Sequence, residues 1–478
     1  MKKREITILL IILAFASLLV YFPHFNNPFP IHVDEWHHIT QAMLLKENGI
    51  NHGSYAREIG FHFFLMCLIL INKNIILYYK FLPLIWVILS CLVILYIIKI
   101  KFKENKNSFY IGLFAILFFV SIKSNVNITG LWFFTPLTFS IPFIYMYIFL
   151  FQEGLDKEKP KLLISSFLIM SILLFIHAIS VLFAIPFLII YSIIKLDKTK
   201  KLIKVLLIFI LIPIIGLIFY KLAMNLAFLE LFTDLFRNLQ FEKGWGVLEL
   251  KNSPFELYSF IGYLFSGLGI YYIIKNKEFK NNFQIYILWL FTVFIYILIF
   301  RLTGTSYLSP YQRNLYYLVL SLPILSAIGV YSFLIKINSK IKLKPHYKKI
   351  ILILIIFLIF FLSFIYYFKI PENSRLYQIL DKEDYNSLMI LPNNPSYVIM
   401  APLLISTAIY PVTANEPVGT LFFYGNRSEV DYFFNDTTDC NKKQEIIKRN
   451  NVDYIISNVE LNCNWEKISS KNHIYKIK

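Results

Sequence analysis

Acidic residues are scarce in this chain, and charge of either sign is thin. Charged side chains make up 16% of 478 residues, whereas hydrophobic ones make up 57%. That balance excludes an ordinary soluble globular protein. Cysteine is rare too. The four residues include no CxxC and no plausible zinc framework, which excludes a zinc-ribbon module. The i, i+4 spacing of an HExxH helix is absent. No internal repeat or low-complexity linker is evident. The net charge of +18 has no basic run interleaved with a polar helix behind it. No nucleic-acid partner is expected, because lysines in cytoplasmic loops account for the charge. The first apolar run, Ile6 to Phe22, follows Lys2, Lys3 and Arg4 and lacks a small-residue cleavage site. It reads as a retained first span.

What is present is a succession of apolar runs. A helix needs about 20 apolar residues to cross a bilayer. Runs of that kind lie at 6–22, 75–98, 108–122, 131–151, 162–176, 178–194, 202–220, 257–274, 283–300, 315–335 and 350–368. The run Phe61 to Ile71 is shorter and reads either as a further span or as a partly embedded helix. The expected fold class is therefore an α-helical polytopic membrane protein of about 11–12 transmembrane helices with a small C-terminal extracytoplasmic α/β domain. If 61–71 does not cross, the lysine-rich loops that begin near 99, 156, 195, 275 and 336 share the inner face with the basic N-terminus. The expected location is the cell membrane, multi-pass, with a cytoplasmic N-terminus and an extracytoplasmic tail. Sequons at Asn127, Asn426 and Asn435 fall outside in the same arrangement.

Residues 1–369 read as the membrane domain, with its first outer loop at 23–74. Residues 370–478 read as the separate α/β domain. Within this tail, Ser387 to Leu391, Val452 to Ile456 and Ile474 to Ile477 read as strands, and Lys443 to Asn450 as a helix. No catalytic triad, phosphate loop or metal motif stands out in it. If the tail lies outside the cytoplasm, Cys440 and Cys463 can form a disulfide; Cys67 and Cys91 lie in apolar segments as packing residues.

The acid that does exist is concentrated where chemistry is plausible. The stretch Pro30-Ile31-His32-Val33-Asp34-Glu35-Trp36-His37-His38 follows the first span. A partly desolvated carboxylate there can serve as a general base or help to hold a divalent ion, so Asp34 and Glu35 are the candidate catalytic residues. The simpler reading makes Asp34 the N-cap of a helix starting at Trp36 or His37. The metal candidates are Asp34 and His38, with His32, His37 and His24 nearby. Adjacent histidines on a helix point about 100° apart, so at most one of His37 and His38 joins Asp34. On the same outer side, Arg301 and Arg313 bracket a segment with Tyr307, Tyr311 and Gln312. Arginine clamps phosphate bidentately, or else snorkels to headgroups. Lys80, Arg57, Glu58, Arg237 and Lys243 are secondary candidates, the Arg57-Glu58 neighbours reading as a local interface pair. His177 reads as a turn residue, and the loop 221–256 as interfacial amphipathic helices.

These features together resemble the GT-C superfamily of membrane glycosyltransferases. Residues 32–49 (HVDEWHHITQAMLLKENG) resemble the first-loop motif of the protein mannosyltransferase and aminoarabinose transferase branch. The run 60–72 (GFHFFLMCLILIN), the helix start 311–325 (YQRNLYYLVLSLPIL) and the terminal NVDYIIS, WEKI and IYKIK segments match the same architecture. The resemblance implies a sugar donor linked to a polyprenyl phosphate and a glycan, lipid or protein acceptor. It implies Asp34 as the catalytic carboxylate with Glu35 beside it. Arg313, Arg301, His37, His38, Tyr311 and Lys80 become substrate-binding candidates, with a divalent ion (Mg or Mn) as the candidate cofactor. It further implies an inverting transfer. No WWDYG sequence is present, which argues against an oligosaccharyltransferase catalytic subunit, and no MIR-type domain is present either. Two alternatives stay open. A polysaccharide polymerase or ligase leaves the early Asp-Glu loop unexplained. A lipid-linked glycan transporter would bury charge in mid-span and show inverted repeats.

Overall fold

A long apolar run inside a bilayer satisfies its backbone polar groups from within the segment only as an α-helix, and helices dominate the computed structural model of the chain. The structure describes residues 2–25, 27–49, 58–72, 74–103, 105, 107–124, 130–207, 239–242, 254–340, 345–364, 367, 379–421, 425–469 and 473–477. In chain order these form α1 (Lys3–Tyr21), α2 (Val33–Asn48), α3 (Ile59–Ile71), α4 (Ile75–Tyr78), α5 (Leu82–Lys101), α6 (Ser108–Val120), α7 (Pro136–Asp156), α8 (Pro160–His177), α9 (Ile179–Leu182), α10 (Ile185–Ile194), α11 (Leu196–Lys201) and β1 (Gln240–Glu242). Then follow α12 (Phe260–Lys275), α13 (Lys277–Thr303), β2 (Thr305–Tyr307), α14 (Tyr311–Lys340), α15 (Pro345–Phe364), α16 (Lys382–Leu388), β3 (Val398–Met400), α17 (Leu403–Thr413), β4 (Glu416–Pro417), α18 (Arg427–Phe433), α19 (Cys440–Arg449), β5 (Tyr454–Ser457), β6 (Glu466–Ser469) and β7 (His473–Lys476).

Among the described residues, five helical segments are long and apolar enough to cross a membrane: Lys3–His24, Ile75–Lys101, Pro160–His177, Lys277–Thr303 and Tyr311–Ser339. Shorter apolar helices stand at the spans expected at 108–122, 178–194, 257–274 and 350–368, and the 21-residue α7 stands at 131–151. The span expected at 202–220 and the loop at 221–256 lie largely outside the described residues, as do Arg57, Arg237, Lys243 and the sequon at Asn127.

The chain divides into two compact units. The first comprises Met1–Val20, Pro83–Trp132 and Pro136–Lys369 and is a helical bundle. Its centre is α14, which packs against α6, α12 and α13. The crossing of α12 and α14 is made at backbone contact. A Cβ on Gly269 would lie 2.0 Å from the Leu325 carbonyl oxygen, and one on Gly329 1.9 Å from that of Phe265. Only glycine fits both positions, the small-residue packing that membrane helices use to approach closely. Hydroxyls beside the crossing are satisfied: Ser266 and Ser326 are 2.7 Å apart, and Tyr258 reaches Ser326 at 2.9 Å. Helix α7 is buried over nearly its whole length. At one end of it Glu153 pairs with Lys101 and Lys157, each at 2.5 Å.

Two span boundaries differ from the sequence reading. The run expected as one helix over 131–151 starts only at Pro136; a proline enters a helix most readily in its first turn. The run 178–194 is two pieces, α9 and α10, with Pro186 in the first turn of the second rather than inside a continuous span.

The second unit comprises Tyr21–Leu82, Phe133–Thr135 and Ile370–Lys478. Helix α2 packs on α3 and on α17. The tail forms a mixed sheet in the order β4-β3-β5-β7-β6. Strands β4, β3 and β5 run parallel, with Ile399 opposite Pro417 and Tyr454; β7 is antiparallel to both β5 and β6. Met400, Ile455 and Tyr475 meet Phe433, Ile446 and Ile447 in a core under the helices. Cys440 at the start of α19 is disulfide-bonded to Cys463, with 5.7 Å between the Cα atoms. The strand expected at Ser387 to Leu391 is instead the end of α16 and a turn. Asp381 and Asp384 form a reciprocal capping box, at 2.7 and 3.2 Å, that starts a helix and overrides the β-forming side chains.

Candidate functional site

The acidic stretch folds into the first turn of α2, and its neighbouring residues divide the work. His32 is the N-cap, extended at φ −92 and ψ 145, and its Nδ1 accepts the Asp34 N–H at 3.0 Å. Glu35 completes a capping box. Its Oε2 accepts the N–H of His32 at 2.9 Å and of Ile31 at 2.8 Å. Its Oε1 accepts the N–H of Phe134 at 2.7 Å. The Glu35 carboxyl is fully buried, and burial pushes it up to about 7 against the pull of those three backbone donors. Trp36, also fully buried, donates its indole N–H to the Pro30 carbonyl at 3.0 Å. The helix therefore begins at Val33, ahead of the expected start at Trp36 or His37. The reading of Asp34 as N-cap is corrected: His32 and Glu35 do the capping. The Asp34 side chain is 24% exposed, with Oδ2 3.5 Å from His32 Nδ1.

His37 and His38 diverge as adjacent helical residues must. His37 lines a groove with Thr40 and Gln41 of α2 and with Ser406, Thr407 and Tyr410 of α17. Burial holds its imidazole down at about 4, although the Asp34 charge raises it. His38 turns inward. Its Nδ1 is 3.0 Å from Nε2 of His62 and 3.8 Å from Oε2 of Glu58. Glu58 is the residue before α3 and His62 lies four residues later, in the first turn of that helix. Asp34 is not among the side chains gathered at His38. The sequence reading joined His38 to Asp34 and missed His62; the Glu58, His62 spacing was the available signal. Lys80 is half-buried, with its ammonium 5.2 Å from the centre of the Phe81 ring.

The arginine-bearing segment belongs to the other unit. Arg301, exposed on the last turn of α13, donates Nε–H to the Tyr311 hydroxyl at 2.8 Å and lies 5.3 Å from its ring centre. Phe300 stacks on the same ring at 4.3 Å. Tyr311 and Gln312 open α14 as buried residues, and Arg313 follows half-buried. Asn314 fixes the approach to the helix. It donates to Ser306 Oγ at 2.9 Å and to the Ser309 carbonyl at 3.1 Å, and it accepts the Ser309 hydroxyl. Strand β2 pairs antiparallel with β1, with Tyr307 opposite Gln240. Tyr307 is exposed. His177 is the buried last residue of α8, with Nδ1 2.6 Å from Ser180 Oγ.

No family model matches the chain, and no curated protein matches it. Solved structures do. The apo oligosaccharyltransferase of Archaeoglobus fulgidus aligns with a TM-score of 0.59 at 13% identity, over 94% of this chain and 69% of that one. The same protein in complex with zinc and sulfate gives 0.58 at 13% identity, over 93% and 67%. Tethered by a disulfide to an acceptor peptide containing an NVT sequon, it gives 0.57 at 13% identity, over 94% and 69%. The likeness is one of fold: the chain is an α-helical polytopic membrane protein that shares the fold of that enzyme. It does not single out the mannosyltransferase and aminoarabinose branch that the first-loop motif resembles.

Proposed function

We propose that the chain is a membrane glycosyltransferase that moves a sugar from a polyprenyl-phosphate-linked donor to an acceptor on the outer face of the cell membrane. The GT-C fold supports the class. The observation that carries the site assignment is the division of labour in α2: Glu35 and His32 close the helix end, and the Asp34 carboxylate is left partly exposed on a rigid turn. Asp34 takes the proton from the attacking acceptor hydroxyl or amine as the new bond to the anomeric carbon forms. The bond from that carbon to the phosphate oxygen breaks, the polyprenyl phosphate leaves with the electron pair, and the configuration inverts.

Glu35 acts as a positioning residue, because both its oxygens are committed to backbone N–H groups. Arg313 is proposed as a partner for the leaving phosphate, where an aimed cation is worth most as charge develops. Arg301 and Tyr311 support it. The groove beside His37, where the Gln41 amide and the hydroxyls of Thr40, Ser406, Thr407 and Tyr410 stand beside Leu44 and Pro417, is the proposed acceptor site. A peptide is one acceptor class, since the matched archaeal enzyme was solved with one; glycan and lipid acceptors are the others. A cytoplasmic N-terminus and an extracytoplasmic tail complete the proposal.

The test is transfer from radiolabelled polyprenyl-phosphate sugars in membranes carrying wild type or Asp34→Asn. Label should reach an acceptor in the wild type and not in the variant, with equal amounts inserted. Full transfer by Asp34→Asn would remove Asp34 from the mechanism.

A further inference from the structure

We infer that His38, Glu58 and His62 form a binding site for a transition-metal ion of the zinc class. Zinc sits about 2.0–2.1 Å from imidazole nitrogen, so two such nitrogens on one ion at angles of roughly 90–110° lie about 2.9–3.4 Å apart. His38 Nδ1 and His62 Nε2 are 3.0 Å apart. A carboxylate oxygen on the same tetrahedral ion lies at about 2.0–2.2 Å from it and about 3.3–3.5 Å from each imidazole nitrogen, so Glu58 would close by a few tenths of an ångström. Glu58 Oε2 is 3.8 Å from His38 Nδ1, and one atom from each of the three side chains lies within 4.8 Å of the others. All three donors can meet one ion with little movement.

The chemistry of the set selects the ion. Two imidazoles and one carboxylate suit zinc and its neighbours, whereas magnesium, calcium and manganese favour oxygen ligands. The site keeps His38 from the metal candidates of the sequence and has Glu58 and His62 in place of Asp34. Three protein ligands also leave a coordination position open, as in zinc sites that keep a water or another exchangeable ligand. His38 and His62 are both buried, with Phe61 edge-on to His38 at 5.1 Å, and the Glu58 side chain is partly exposed, so the ion would be covered on its imidazole side and open at its carboxylate.

Its consequence is mechanical. His62 comes from α3, Glu58 from the residue just before it and His38 from α2, so the ion fastens the start of α3 to α2. Asp34 lies one turn before His38 on α2, so the fastening holds the turn that presents it. The inference does not rest on the transferase reading, because the readout is metal content.

Untagged full-length protein in detergent is stripped with a chelator, loaded with Zn2+, dialysed and analysed for zinc per chain. The wild type should retain about one ion per chain, the 1:1 stoichiometry expected of a three-ligand site. Co2+ in its place should give visible d–d absorption. His38→Ala and His62→Ala should each weaken retention at least about ten-fold, as loss of one ligand of three requires. Glu58→Gln, close in size to the native side chain, should weaken Zn2+ retention and shift the Co2+ spectrum; it serves if a histidine variant does not fold. Asp34→Asn should keep the full ion content. Absence of retained zinc in the wild type, unchanged retention in the ligand variants, or loss of the ion in Asp34→Asn would each overturn the assignment.

Discussion

The first turns of α2 and α14 begin two helices in different ways. In α2 the polar groups are tied inward: His32 and Glu35 satisfy backbone N–H groups, Trp36 anchors a carbonyl, and one carboxylate, Asp34, remains at the rim. In α14 the tie runs from Asn314 in its first turn back to Ser306 and Ser309, and Tyr311, in contact with Phe300 and Arg301, opens the helix ahead of Arg313. One end presents an acid and the other a base. The difference teaches that the reactive residue of a sequence pair is the one its neighbours leave unspent. Asp34 and Glu35 are adjacent and chemically alike, yet hydrogen bonding assigns them opposite duties.

The largest test of that contrast exchanges the acid for its amide. Asp34→Asn should cut transfer about 10²–10⁴-fold, the range for a lost general base, with the thermal unfolding midpoint in detergent unchanged. Equal loss from stability alone would break the contrast. Glu35→Ala should do the reverse. It strands three buried backbone N–H groups, each costing about 1–3 kcal/mol, so the unfolding midpoint should fall sharply and activity should follow the folded fraction. Next comes Arg313→Ala, expected to raise the KM for the lipid-linked donor about ten-fold, equivalent to about 1.4 kcal/mol. Arg301→Ala should change it less, and a larger effect at Arg301 would exchange their roles.

A further test is a pH profile. The Glu35 carboxyl lies at about 7 in the folded unit and at 4.5 in the unfolded chain, so the folded form binds the proton more tightly between those values. Its contribution to stability is full below about 4.5, declines as pH rises and is lost above about 7. Glu35→Gln should flatten that dependence in melts recorded across the range; an unchanged slope would assign it to another group.

Much of the bundle was legible because apolar length is a local property. Among the described residues the runs read as spans correspond to helices, and the differences fall at Pro136 and Pro186, where proline resets a helix start. The tail was legible where periodicity and a cap coincide, as at α19 and β7. It was not where Asp381 and Asp384 cap a helix within a strand-like run, or where β3 and β4 are only three and two residues long. The site was legible as composition and illegible as geometry. Nothing local tells that Glu35 reaches Phe134, 99 residues away, or that His38 faces His62 across two helices. The Glu58, His62 spacing was present in the sequence, but no rule names their partner.

The Cys440–Cys463 bond gives the tail a chemical memory of where it matured. Such a bond persists in an oxidising compartment and is lost where glutathione keeps thiols reduced. A population of molecules can therefore be sorted by thiol labelling. Chains whose tail was delivered outward would leave this pair unlabelled, and chains retained or inverted would take up maleimide at both positions. The bond that braces α19 thus reports on the assembly of the whole molecule.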